Sequence, residues 1–208
     1  VSAFPRWPDW SDETAVVVAT GPSASEINLE PGKGKARFLA IKDAWQLCRW
    51  ADLLYGCDGH WWQAHNGVPQ FEGPKATADR IIARRWGFLW VEIGSAQKHD
   101  MLFGQVGAVG WGGNSGFHAI NLAAQFGARR ILLVGFDMRV DKGPHFFGDH
   151  KYDRRPTEKS VSQWRALLDA QAPVLKARGI EVINCSPVSA LRGFPKQSLE
   201  ASLEAVVG

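Results

Sequence analysis

Ala15-Val16-Val17-Val18-Ala19, followed at once by Thr20-Gly21-Pro22-Ser23, is the stretch on which the fold turns. Five apolar residues without alternation suit a strand covered on both faces, which is the signature of a parallel sheet. A glycine-proline-serine turn then stops it and opens the next element. Ile131-Leu132-Leu133-Val134-Gly135 repeats the pattern, and Glu181 to Asn184 repeats it more weakly. Arg37 to Ile41, Leu53 to Gly56 and Phe88 to Val91 are further strands by the same reading.

Helices are expected between these strands. Asn114-Ser115 precedes a helix over Gly116 to Phe126, closed by Gly127. Lys159 to Arg178 has Val161, Trp164, Leu167, Leu168, Ala172 and Leu175 at helical spacing, with a kink expected at Pro173 and a stop at Gly179. Ser198 to Val207 is a short terminal helix. Strand alternating with helix makes the class α/β: a Rossmann-like, mostly parallel sheet with helices on both faces.

The chain has 208 residues, 45% hydrophobic and 22% charged, which suits one globular domain over 1–208 and excludes wholesale disorder. Nine of its ten tryptophans lie at or before Trp111, so residues 59–113 are read as an irregular Trp-rich insertion, a lid or small subdomain. No apolar run approaches about 18 residues, so no membrane span is expected. Val1 to Trp10 has no signal-peptide core, and a cytoplasmic location is expected. Three cysteines without CxxC spacing fit neither a disulfide framework nor a structural zinc site. Basic residues cluster at Lys33 to Arg37, Arg84-Arg85, Arg129-Arg130 and Lys151 to Arg155. With a net charge of only +3, a phosphate-bearing ligand explains them better than a nucleic acid does.

In an open parallel sheet, ligands bind beyond the carboxyl ends of the strands. Every polar cluster in this chain follows an expected strand. Thr20 to Ser25 offers backbone N–H groups to a phosphate, although it matches neither GxGxxG nor a Walker loop. Gly110-Trp111-Gly112-Gly113-Asn114-Ser115-Gly116 offers helix N-terminal donors, with Asn114 or Ser115 as either cap or ligand contact. Asp137 ends the strong strand and could meet a ribose, a metal or a substrate hydroxyl, or pair with Arg139. His145, Asp149 and His150 form an acid–base or metal-ligand cluster, with acid–base work the better reading because HExxH spacing is missing. Asp58 follows the third strand, and Trp61-Trp62 form either a flat wall for a base or sugar or part of the core. Cys57 would need a base brought to it from elsewhere in the fold to act as a nucleophile.

Taken in order, these motifs resemble a superfamily that includes the bacterial CMP-sialic-acid-dependent sialyltransferases, archaeal 6-hydroxymethylpterin diphosphokinases and related phage or prophage proteins. The resemblance rests on the strand with Thr20 to Ser23, Trp50 to Tyr55 with Asp58, Asn114-Ser115-Gly116, Gly135-Phe136-Asp137, His145 to His150, and Gly179 to Leu191. It looks closest to the phage-type members. It implies nucleotide contacts at Gly21, Pro22, Ser23, Asp58, Asn114, Ser115 and Gly116. It places the catalytic base at His150, with His145 and Asp149 also alignable. Asp137, Lys151, Tyr152, Arg154 and Arg155 then fall near substrate or phosphate.

The sequence departs from that pattern in three places. Thr20 stands where the family has asparagine, and Lys42 or Asp43 replaces a second one. Phe146 and Phe147 stand where a phenol is expected, leaving Tyr152 as the nearby substitute. The leading expectation is a glycosyltransferase moving a sugar from a nucleotide donor to an acceptor hydroxyl, with no cofactor required. One alternative is a Mg²⁺-dependent pyrophosphokinase using Asp58 and Asp137 as metal ligands. Another is a non-catalytic phage module binding nucleotide or DNA.

Overall fold

A computed structural model describes residues 6–95, 99–141, 143, 145–148 and 156–204. The apolar runs form the middle of a seven-stranded parallel sheet. Its strands are β1 (Thr14–Val18), β2 (Arg37–Ile41), β3 (Leu53–Gly56), β4 (Lys75–Thr77), β5 (Leu89–Trp90), β8 (Arg130–Val134) and β9 (Glu181–Asn184). They lie in the order β5-β4-β3-β2-β1-β8-β9, so the chain builds outward from β1 in one direction and then crosses back to its other side. The short strands β6 (Glu92–Ile93) and β7 (Ala108–Val109) pair separately.

Successive residues of each central strand face opposite layers, and both layers are dry. Val17, Leu39 and Leu133 pack with Phe117 and Ile120 of α3 (Ser115–Gln125) and Leu168 and Leu175 of α4 (Glu158–Ala177). Val16, Phe38, Leu54 and Leu132 pack on the other side. Their partners there are Trp61 and Trp62 of α1 (Gly59–Ala64), Ile82 of α2 (Arg80–Trp86) and Leu203 of α5 (Leu199–Glu204). A strand so enclosed has no use for polar alternation, which is why the runs are uniformly apolar.

The strands and the three helices expected from the sequence are present, with bounds that differ by a few residues, and the expected end of the last helix at Val207 lies outside the described residues. Helix α4 runs through Pro173 as one element and ends at Gly179, whose φ of 73° allows Ile180 N–H to reach Leu175 O. Its start is fixed by a capping box between Thr157 and Ser160. Thr157→Ala is expected to lower stability by about 1 kcal/mol in urea denaturation.

Within the stretch 59–113, expected to stand apart as a lid or small subdomain, residues 59–90 instead extend the main sheet with β4 and β5 and cover it with α1 and α2, while β6 and β7 pair apart from it. Trp61 and Trp62 are core residues, 1% and 0% exposed, and do not wall a ligand site. Burial is tolerated because each indole N–H has an acceptor, Asp43 Oδ2 for Trp61 and Gly56 O for Trp62, both at 2.8 Å. Lys75 to Thr77 is too short to announce a strand by period; β3 alongside supplies its pairing. Among the described residues no helix is long and apolar enough to cross a membrane.

Candidate functional site

Because β1 lies between β2 and β8, the connections leave its carboxyl end in opposite directions, and a crevice opens there. The two strand exits cross at contact distance. Gly21 N–H donates to Gly135 O at 3.0 Å, and a Cβ on Gly21 would lie 2.3 Å from that oxygen. Gly135 has φ of 73°, and its own Cβ would lie 2.5 Å from Ala19 O. Only glycine fits either position.

Beyond this crossing, a cavity of about 450 Å³ is lined by the ends of β1, β2, β3 and β8, the start of α3, and Val161 and Trp164 of α4. Gly21, Asp58, Asn114, Ser115, Gly116, Asp137 and His145 all line it. Pro22 and Ser23 do not line it.

Ser23 is 2% exposed and Asp137 1%. Asp137 Oδ2 accepts from Ser23 N–H at 2.9 Å, and Oδ1 accepts the Ser23 hydroxyl. Ser23 is therefore a clamp between the β1 and β8 exits, not a ligand contact. Asp137 holds that clamp, so the Asp58–Asp137 pair does not offer two open carboxylates to a cation. His150, Asp149, Lys151, Tyr152, Arg154 and Arg155 lie outside the described residues.

The floor of the cavity is an ion pair that the sequence reading did not select. Lys42 follows β2 directly with a φ of 46°, and its Nζ is 2.5 Å from Asp58 Oδ2. Its side chain is only 12% exposed. A positive φ on lysine costs on the order of 1–2 kcal/mol, and such strain is typical of functional sites. The neighbouring Asp43 turns away to Trp61 and His65, so Lys42 is the residue that faces the cavity. Cys57 donates to Asp58 Oδ2, and the Ser115 hydroxyl donates to Cys57 Sγ, both at 3.2 Å. Burial pushes the Asp58 carboxyl up, but the Lys42 charge and hydrogen bond outweigh it and hold it below the usual range. Burial, then the Asp58 charge, push the Cys57 thiol up to about 12, so it is no nucleophile at neutral pH.

On the far wall, Asn114 caps α3. Its Oδ1 accepts from Phe117 N–H at 3.0 Å and its amide donates to Gly112 O at 3.2 Å. Asn114 thus acts first as a cap, and the backbone N–H groups of Ser115 and Gly116, in the first turn, face no intrahelical acceptor. A Cβ on Gly116 would meet the Phe136 ring at 2.8 Å, so glycine lets this helix start close to the β8 exit.

The approach loop is fixed from beneath. His118 Nε2–H donates to Trp111 O at 2.7 Å, and Tyr55 O–H donates to His118 Nδ1 at 2.9 Å. His118 gave no sequence signal, because it reads as one more residue on a buried helix face. Burial drives its pKa from 6.5 to about 4. An unfolded chain binds this proton between those values while the native state refuses it. Stability is therefore expected to fall by about 3 kcal/mol as pH drops from 6.5 towards 4. Urea denaturation across that window, compared with His118→Gln, measures it.

His145 closes the rim. Its Nδ1 is 2.8 Å from Thr20 Oγ1, its ring stacks on Phe147 at 5.1 Å, and Phe146 N–H donates to Thr20 O. Thr20, the departure at the first turn, thus orients a histidine. Arg139 also lines the cavity while forking onto Asp141.

No family model and no curated protein matches the sequence. Solved structures do share the fold. The sialyltransferase CstII from Campylobacter jejuni in complex with cytidine-5'-monophosphate aligns at TM-score 0.56 and 10% identity, over 91% of this chain and 86% of that one. The same enzyme with CMP-3FNeuAc aligns at TM-score 0.53 and 11% identity, over 90% and 87%. A sialyltransferase CST-II complex with a trisaccharide acceptor and CMP gives the same values.

Proposed function

We propose that this chain is a nucleotide-dependent glycosyltransferase that holds a nucleotide-sugar donor in the β1/β8 crevice. One observation carries the reading. A positive side chain, Lys42, the uncapped N–H groups of α3 and an oriented histidine converge on one cavity at the switch point of the sheet. A fold shared with a CMP-binding sialyltransferase supports it.

In this reading the Ser115 and Gly116 N–H groups and the Lys42 ammonium meet the donor phosphate, where a helix N-terminus favours negative charge. Asp58 accepts from a hydroxyl or amino group of the nucleoside, and Trp164 with Val161 supplies an apolar wall. His145, oriented by Thr20, takes the proton of the acceptor hydroxyl. The hydroxyl oxygen bonds to the anomeric carbon as the bond from that carbon to the phosphate oxygen breaks. The nucleotide leaves with that electron pair. Cations and amide donors around the leaving phosphate stabilise it as its charge develops.

The test is thermal unfolding with CMP, UMP, GMP and AMP, followed by a nucleotide-release assay with the matching nucleotide sugar and a saccharide acceptor. A ligand at a hundredfold excess over its Kd is expected to add about 2.7 kcal/mol to apparent stability. If no nucleotide or nucleotide sugar raises the melting temperature, the reading fails. Lys42→Met is expected to weaken nucleoside monophosphate binding by about tenfold or more while sparing the nucleoside, as a lost charge-assisted hydrogen bond requires.

A further inference from the structure

Away from the crevice, the β5 edge of the sheet brings exposed apolar and basic side chains together. Ile81, in the first turn of α2, is 77% exposed, and Trp90 on β5 is 40% exposed. The guanidinium of Arg80, the residue before Ile81, lies over the Trp90 ring at 5.0 Å and ties the start of α2 to β5. Arg84 and Arg85 are also exposed, with Arg85 over the half-buried Trp86 at 5.0 Å. Lys75 lies over Phe88 at 5.6 Å. The one acidic residue within this stretch, Asp79, is taken up in capping α2 through Ile81 and Ile82 N–H, and Glu72 and Glu92 flank it. Among the described residues no strand covers the outer side of β5.

We infer that this edge docks on an anionic lipid surface, with Ile81 and Trp90 entering the interface and Arg80, Arg84 and Arg85 meeting headgroup phosphates. Tryptophan and arginine suit that boundary because each joins an apolar body to a polar end. A nucleic-acid backbone would take the arginines but would leave the aliphatic Ile81 in water. A second copy docking by the same face would set arginine against arginine. An anionic lipid surface satisfies both the charge and the apolar side chains. The inference does not depend on the glycosyl-transfer reading.

The experiment is flotation of the whole chain with phosphatidylcholine vesicles, with and without phosphatidylglycerol, at low and high salt. Binding is expected only with phosphatidylglycerol, and salt is expected to weaken it. Each arginine contributes about fivefold, so Arg84→Glu with Arg85→Glu is expected to lower partitioning by more than about tenfold. Ile81→Ser with Trp90→Ser is expected to lower it by about tenfold or more. Unchanged melting temperatures will establish that these surface variants fold. The inference is overturned by equal binding to neutral vesicles, by no binding, or by binding that the variants leave intact. It is equally overturned if the variants abolish self-association or RNA binding while vesicles are ignored.

Discussion

Gly135→Ala is expected to lower stability by about 2–5 kcal/mol. An alanine at its φ of 73° costs roughly 1–2 kcal/mol in backbone strain. The methyl group would also stand 2.5 Å from Ala19 O, and overpacking of this kind costs roughly 1–3 kcal/mol. The carbonyl cannot give way easily, since Ala19 N–H is already bound to Val134 O at the exit of β1. Domains of this size are stable by only about 5–15 kcal/mol, so the loss is a large share of the whole. Gly21→Ala serves as the partner measurement. Its Cβ would meet Gly135 O at 2.3 Å, but its φ of −57° carries no left-handed strain. Gly21→Ala is therefore expected to carry only the overpacking cost, roughly 1–3 kcal/mol in urea denaturation. Both variants should also bind nucleotide poorly, because the crossing they disturb is the lip of the cavity. A loss under about 1 kcal/mol for Gly135→Ala would mean that the β8 exit relaxes, and the close crossing would then not be required.

His145→Ala is expected to lower kcat by about 10²–10⁴-fold with the donor that binds, while the donor Kd changes little. The separation follows from geometry. His145 approaches the cavity from the Thr20 rim, whereas the phosphate donors belong to α3 and the Lys42–Asp58 floor. Thr20→Val keeps the imidazole but removes the hydroxyl that orients it, so a smaller loss in kcat is expected from it. Single-turnover kinetics beside calorimetric binding distinguish the two effects. Turnover unchanged in His145→Ala would remove this residue from the proposed chemistry without touching the nucleotide-binding reading.

These two tests differ in how far their residues could be read in advance. The glycines stood out early, because Gly21 lies in the turn that stops a five-residue apolar run and Gly135 directly follows four apolar residues. His145 stood out by residue type, but its partner Thr20 lies 125 positions away and registered only as a departure from a resembled pattern. Lys42 was seen as a replacement and not as a site, since nothing local to β2 announces an ion pair with the end of β3. Ser23 was misread as a ligand contact for the same reason: its acceptor, Asp137, is 114 positions distant. Residues 59–90 were read as part of a lid or small subdomain because tryptophan density says that aromatic surface will be buried, but not against what.

The sequence by itself determined what short-range forces decide. Uniformly apolar runs require two covered faces, glycines permit the positive φ at strand and helix ends, and Asn114 and Thr157 cap helices through their own neighbours. Only the tertiary structure decided the pairings: Ser23 with Asp137, Lys42 with Asp58, Tyr55 with His118, Thr20 with His145, and β4 beside β3. Each joins groups from separate elements, and its geometry exists only once the sheet order has brought those elements together. Side-chain chemistry fixes what a residue can bond to, and topology fixes what it meets.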